Sequence, residues 1–467
     1  MSNRSAPAPP CLAERFTKRY LYTNSSDVVT RSLQIGTHSA MLYFIDGLCA
    51  DTVLERVIHA LQIVAPQSTL NTRDLLYTIV SYGECSISED LEEIFTQFST
   101  GAAVLFYDAK EAILIKARSV PTRGTEEPQN DRVLRGARIG FVETLVKNTA
   151  LLRRHIRSAD FKVQTIFVGQ TTKTQIAVCY MENRASPQTI EKILSRLQNT
   201  KTDSVSLGAQ SVAEVLITKS WWNPFPKFRF TERPDTAAAS ILEGSIVLLT
   251  DNSPQAIMLP VSILDFLQQT EDYYMPPLVG TYLKIIRFLT YLVGMYLTPL
   301  WYFFDTHPTL VPQALSFLVA HQTPAIPVLA QLLIIEFAID GLRLASLNTP
   351  DPLANSLSVV GGLILGDIAV EVGWFLPQTV LYAAIVAIAN FIQQSFELGY
   401  ATKFSRIFML CMCALFGAWG LLGANVFLLL LLLCNRTVDG TKRYFWPLIP
   451  FNGRALLHLL IRQKKHD

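Results

Sequence analysis

Three groups of polar or ionisable residues lie in stretches that are otherwise apolar. In the stretch from Leu357 to Glu371, Asp367 and Glu371 are four residues apart. On a helix they share a face with Val360 and Ile364. Charges inside a bilayer are costly, so they face a bundle interior or water. Gly361, Gly362 and Gly366 allow neighbouring helices to approach closely. One reading is a pore wall that attracts cations, lined by Val360, Ile364, Asp367 and Glu371. The other is a pair of acids at the membrane edge, solvated or ion-paired.

Glu336, Asp340 and Arg343, spaced by four and three, form a second polar stripe. Its plain reading is a structural ion pair between Asp340 and Arg343. Its sharper reading is the lining of an ion path or a link between subunits. Asn390, Gln393, Gln394 and Glu397 form a third stripe, which reads as a solvated helix end. Outside the apolar stretches, residues 118–157 carry nine Lys and Arg against four acids. Such a segment can bind phosphate or anionic lipid. The interleaved acids favour internal salt bridges, and Arg123, Glu126 and Arg135 are expected to hold the junction of two soluble subdomains.

No catalytic constellation accompanies these groups. The seven histidines are isolated, and neither an HExxH motif nor a P-loop occurs. The expectation is a chain that is not an enzyme, with no cofactor and no metal. The seven cysteines show no CxxC spacing and are odd in number, which argues against a disulfide framework. A net charge of +2 gives no drive toward nucleic acid.

The elements that must position these residues divide the chain in two. Of its 467 residues 50% are hydrophobic and 17% charged, against about a quarter charged in soluble domains. The charge is concentrated before Asp272, so a boundary falls near Tyr273 to Lys284. The expected fold is an α+β soluble N-terminal half, with two α/β subdomains, followed by an α-helical polytopic membrane domain. The expected divisions are a disordered N-terminus over 1–15, one cytosolic subdomain over 16–140, a second over 141–272, membrane helices over 273–434 and a cytosolic tail over 435–467. Strand-like runs occur at Ala40–Phe44, Ala103–Tyr107, Ala112–Ala117, Val163–Val168, Gln175–Tyr180 and Ser245–Thr250, with helical patterns at Thr52–Ile63, Phe141–Ile156 and Pro187–Leu197. No repeat of fixed period is evident.

Crossing a bilayer takes about 20 apolar residues of helix. Ile285–Phe304, Ile326–Leu344, Leu357–Trp374 and Val380–Gln393 are the expected spans. Arg406–Cys434 is too long for one span and short for two, with Gly417, Gly420 and Gly423 near its middle. It reads as a tight hairpin or as one long tilted helix. Lys and Arg flank alternate connections and fill the tail, while Asp305–Pro324 has neither, which places both termini in the cytosol.

Several motifs resemble the signature of the spore germination receptor A-subunit family. They are the run from Pro121 to Gly136 (PTRGTEEPQNDRVLRG), Gly140–Leu145 (GFVETL), Asn148–Arg154 (NTALLRR), Phe230–Asp235 (FTERPD), Asp46–Leu48 (DGL) and Glu271–Tyr274 (EDYY). Gly47–Cys49, Asn348–Ala354, Gly366–Val370, Phe396–Gly399 and Trp446–Asn452 resemble the stage V sporulation AF branch in particular. The resemblance implies an endospore-forming bacterium, the inner spore membrane and a role in germination. It also implies a homo-oligomeric ring, a pentamer, that releases monovalent cations; ordinary receptors pair the A subunit with B and C subunits, a pairing that does not carry over to the AF branch, so other germination membrane proteins stand only as candidate partners. The family usually has a proline near Gln393–Ser395, and its absence here predicts a straighter, longer fourth span. Beside the channel stand two other readings: a non-conducting scaffold that docks germination proteins, and a secondary transporter, for which inverted repeats are not seen.

Overall fold

A computed structural model of the protein describes residues 11–20, 25–36, 38–64, 70–80, 82–119, 138–200, 208–217, 223–269, 271–319, 324–348, 361–393, 395–441 and 443–462. They form two compact units, 1–218 with 228–260, and 219–227 with 261–467.

The first unit holds two five-stranded antiparallel sheets. In the first, β1 (Val28–Ile35) and β2 (His38–Ile45) form a hairpin in the register Val28↔Ile45 to Ile35↔His38. With β3 (Cys85–Ser88), β4 (Ala103–Phe106) and β5 (Ala112–Ile115), the order is β1-β2-β4-β5-β3. Strands β4 and β5 are unbroken apolar runs buried at every position, as inner strands covered on both faces must be. Edge strand β1 instead exposes Thr30, Arg31, Ser32 and Gln34, polar side chains that discourage further strand pairing.

Helices cover both faces of this sheet. Leu54, Val57, Ile58 and Leu61 of α2 (Asp51–Gln62) pack with Leu33, Ile35, Leu105 and Ile113. On the other face, Phe16 of α1 (Leu12–Tyr20) and Ile94 and Phe98 of α3 (Leu91–Ser99) meet Tyr43, Val104 and Leu114. Disorder expected over residues 1–15 therefore does not reach Leu12, because burial of Leu12 and Phe16 holds the helix.

The second sheet has the order β6-β7-β9-β10-β8, with β6 Phe161–Val168, β7 Thr174–Met181, β8 Arg229–Thr231, β9 Ile246–Thr250 and β10 Ala256–Leu259. Two helices, α4 (Leu145–His155) and α7 (Pro234–Leu242), share its core with Phe161, Val163 and Val247. Between β7 and β8 run α5 (Pro187–Gln198) and α6 (Ala209–Leu216). The strand order is that of the first sheet, and both times the chain runs hairpin, helical crossover, strand, single helix, hairpin. The first unit is thus a topological duplication that the sequence does not display.

The second unit is helical. It comprises α8 (Pro277–Thr306), α9 (Val328–Leu347), α10 (residues 361–371, with a π-turn at Ile364–Ile368), α11 (Pro377–Phe391), α12 (396–416), α13 (418–434) and α14 (Gly453–Leu460). The stretch Phe396–Cys434 is broken at Gly417, with φ 57° and ψ −135°. Phe408 and Phe427 then lie ring to ring, 5.3 Å between centroids. Nineteen residues of continuous helix would separate them by roughly 28 Å, so the chain reverses as a helical hairpin rather than running on as one tilted helix. Among the described residues two helical stretches, Pro277–Thr306 and Phe396–Cys434, are long and apolar enough to cross a membrane by length and composition.

One expectation is corrected here. The fourth apolar helix is not prolonged by the missing proline, since α11 ends at Phe391. Ser395 then caps α12, its side chain accepting a hydrogen bond from the Leu398 amide at 3.2 Å. A serine cap fixes a helix start without any proline.

Candidate functional site

The polar groups of the helical unit fall into a buried cluster and an exposed stripe. In the cluster, Glu336 and Asp340 lie one turn apart on α9, and Lys403 and Arg406 lie three apart on α12. Glu336 accepts from Arg406 Nε at 2.7 Å and pairs with Arg406 Nη2 at 2.6 Å. Lys403 Nζ lies 2.5 Å from Asp340 Oδ2 and 3.5 Å from Glu336 Oε2, and donates to the Glu336 carbonyl at 2.8 Å. Arg406 also donates to the Gly294 carbonyl of α8 at 2.5 Å. Two acids and two bases thus cancel while tying three helices together. Charges in an apolar bundle survive through such pairing.

The expected ion pair between Asp340 and Arg343 is not formed, because Lys403 reaches across from α12 and takes the carboxylate. The Arg343 guanidinium lies instead over the rings of Phe396 and Tyr400, 4.5 and 5.7 Å from their centroids, a cation–π arrangement. Glu336, Asp340, Arg343, Lys403 and Asn390 border a small cleft with Ala383 and Val386. In the sequence, Lys403 and Arg406 read only as flanking charges that orient the spans. Their signal was the match between two bases at helical spacing in one apolar stretch and two acids at helical spacing in another.

The stripe lies on α10. Ile364, Asp367 and Glu371 are exposed, as are Ile368 and Val372. Gly361 lies against the Leu342 side chain of α9, whereas a side chain at Gly362 or Gly366 would meet nothing within 4 Å. Among the described residues no ion pair joins Asp367 to Arg343. The π-turn at Ile364–Ile368 contains Asp367, and such turns recur at functional sites. Val360 lies outside the described residues.

Arg123, Glu126 and Arg135, expected at the junction of the soluble subdomains, also lie outside the described residues. Among those described, a different pair bridges the two sheets. Arg153 of α4 donates to Asp27, beside β1, through Nε at 2.8 Å and Nη2 at 2.9 Å. Both side chains are buried, and Arg153 Nη1 donates to the Phe161 carbonyl at 3.0 Å. The bidentate fork suits this geometry. Gly47 makes the same approach sterically feasible: its φ is +75°, and a side chain there would come within 3.0 Å of Val146 on α4. Burial pushes the carboxyl of Asp46 upward. Next to Phe161, burial lowers the Lys162 ammonium to about 8, with Glu182, 3.9 Å away, opposing the shift.

At the start of α8, Asp272 of the EDYY motif is fully buried and accepts from Arg287 Nη1 at 2.7 Å and Nη2 at 3.0 Å. Arg287 is therefore a structural partner as well as a flanking charge. Among the described residues no group of three His, Cys, Asp or Glu side chains is placed to hold a metal ion.

The family model described as Bacillus/Clostridium GerA spore germination protein matches residues 16–467. Stage V sporulation protein AF of Bacillus subtilis (strain 168) is 35% identical over 458 residues, covering 97% of this chain and 92% of that protein. Spore germination protein KA of the same organism is 28% identical, covering 94% of this chain and 82% of its own length. Among solved structures, the N-terminal domain of the A subunit of the Bacillus megaterium spore germinant receptor GerK3 matches with a TM-score of 0.39 at 23% identity, over 53% of this chain and 91% of that one. With a family model spanning nearly the whole sequence and a relative at 35% identity over nearly its full length, the chain belongs to the GerA family of spore germination proteins.

Proposed function

We propose that the chain is a multi-pass protein of the inner spore membrane that assembles into a homo-oligomeric ring, a pentamer, and conducts monovalent cations out of the spore core. The membrane domain covers residues 273–434, and the soluble half and the C-terminal tail face the cytosol or core. Other germination membrane proteins are its partners, and no catalysis is involved.

The observation that supports this reading is the contrast between the two sets of membrane acids. Glu336 and Asp340 are neutralised within the chain, while Asp367 and Glu371 are exposed on a helix whose glycines at 362 and 366 have open space beside them. In a symmetric ring the exposed acids become rings of negative charge, which favour cations. Open glycine faces allow the neighbouring subunit to close in.

Conductance of the reconstituted chain tests the reading. Asp367→Asn should reduce cation current or alter its selectivity with assembly intact, and Asp367→Lys should block it further. A charge swap, Asp367→Arg with Arg343→Asp, that restores both assembly and current would favour an ion pair over a pore ring. An assembled ring with no current under any condition would leave the scaffold reading in its place.

A further inference from the structure

The segment from Arg443 to Arg462 is fixed at both ends, and between them Pro447 and Leu459 are buried while several large apolar side chains are exposed. Tyr444 is buried, its hydroxyl donates to the Pro226 carbonyl at 2.7 Å, and its own carbonyl accepts from the Ile263 amide at 2.9 Å. At the other end, the Arg462 amide donates to Thr281 Oγ1 at 3.1 Å, and its guanidinium to the Tyr273 carbonyl at 2.6 Å. Between these anchors Asn452 caps α14, accepting from the Ala455 amide at 3.1 Å. Ile449, Phe451, Leu457 and Ile461 are nonetheless exposed, Phe451 to 74%. Water does not favour such a display, and large exposed apolar patches mark contact surfaces.

The anchor at Arg462 fixes the height of this display. Thr281 lies in the first turns of α8, where a stripe of exposed apolar side chains begins. Leu278, Tyr282, Ile285 and Leu289 are exposed, and their spacing of three and four puts them on one helical face. On a helix long enough to cross a membrane, that stripe is the lipid-facing side, and tyrosine near its end marks the headgroup level. Exposed Ile461 adjoins that anchor, and its amide donates to the carbonyl of exposed Leu457 at 2.7 Å, one turn back on α14. Their charge setting is one-sided, because residues 442–467 hold six Lys and Arg against one Asp, and Arg443 and Arg454 are exposed. An apolar surface rimmed by cations matches a layer of anionic headgroups.

We infer that residues 443–462 form an interfacial foot that lies in the headgroup layer and binds anionic phospholipid. The inference rests on α8 spanning the membrane, and it is independent of whether the chain conducts ions.

The test uses the full chain in nanodiscs of phosphatidylglycerol or phosphatidylcholine. Trypsin cleavage after Arg454, followed by mass spectrometry, should be markedly slower in phosphatidylglycerol than in phosphatidylcholine. Each juxtamembrane cation contributes about five-fold to anionic binding. An Arg443→Gln, Arg454→Gln chain should therefore retain phosphatidylglycerol over phosphatidylcholine with a preference about 25-fold lower. Phe451→Ser, which leaves the charge intact, should weaken the protection in phosphatidylglycerol. Equal cleavage in both lipids, or an undiminished lipid preference in the glutamine variant, overturns the inference. Extraction of the chain from membranes by alkaline carbonate would overturn the spanning reading, and this inference with it.

Discussion

Substituting Lys403 with methionine tests whether the buried charges hold the helical unit together. Methionine keeps the length of the side chain and its apolar packing while removing the ammonium. Glu336 would retain Arg406 at 2.6 Å, but Asp340 would lose the cation at 2.5 Å and the Glu336 carbonyl a donor at 2.8 Å. Removing one partner of a buried pair costs about 3–5 kcal/mol, because the other charge is left uncompensated. Asp340 keeps 29% of its side chain accessible, so water recovers part of that and the expected loss is about 3 kcal/mol. Adding Asp340→Leu removes the stranded charge, and replacing both charges by apolar groups is often close to neutral. The double variant is then expected within about 1 kcal/mol of the parent protein. Equilibrium unfolding of the full chain in mixed micelles, read by circular dichroism over the four-member mutant cycle, measures the coupling. A Lys403→Met loss below about 1 kcal/mol, or strictly additive effects, would refute the reasoning.

Three further outcomes follow from the geometry. Arg153→Met leaves Asp27 buried without its bidentate partner and should cost about 3–5 kcal/mol; an unchanged melting temperature of the two-sheet unit in the full chain counts against the bridge. Gly417→Ala places an L side chain at φ 57°, ψ −135°, a strain of about 1–3 kcal/mol, and should lower cross-linking between cysteines placed at 408 and 427. The Lys162 ammonium, lowered by burial from 10.5 to about 8, is charged in both states below pH 8, where burial destabilises the fold. Between about 8 and 10.5 the unfolded chain holds the extra proton, so stability should rise with pH. Lys162→Met should remove that rise, which thermal melts of the two proteins at pH 7.5 and 10 would compare.

The strands and helices were largely legible in the sequence because each has its own period. The apolar runs of β4 and β5 declared themselves as strands, though not as inner ones, and the break near Gly417 in a 39-residue helical stretch was visible as a cluster of glycines. Local patterning reports local structure, since backbone geometry decides which residues share a face. The duplication of the two sheets was not legible. Topology is preserved by which strands neighbour each other, and many apolar sequences satisfy the same neighbours.

Partnership was the other thing that only tertiary structure decided. The sequence assigned Asp340 to Arg343, three residues away on the same helix, and treated Lys403 and Arg406 as boundary charges. The fold brought Lys403 to Asp340 from 63 positions away and Arg406 to Glu336 from 70, and sent Arg343 to aromatic rings. Composition fixed that the apolar half would carry acids and bases, several of which would need partners inside the fold. Which acid met which base depended on helix packing, because electrostatic pairing acts through distance in space and is blind to distance along the chain.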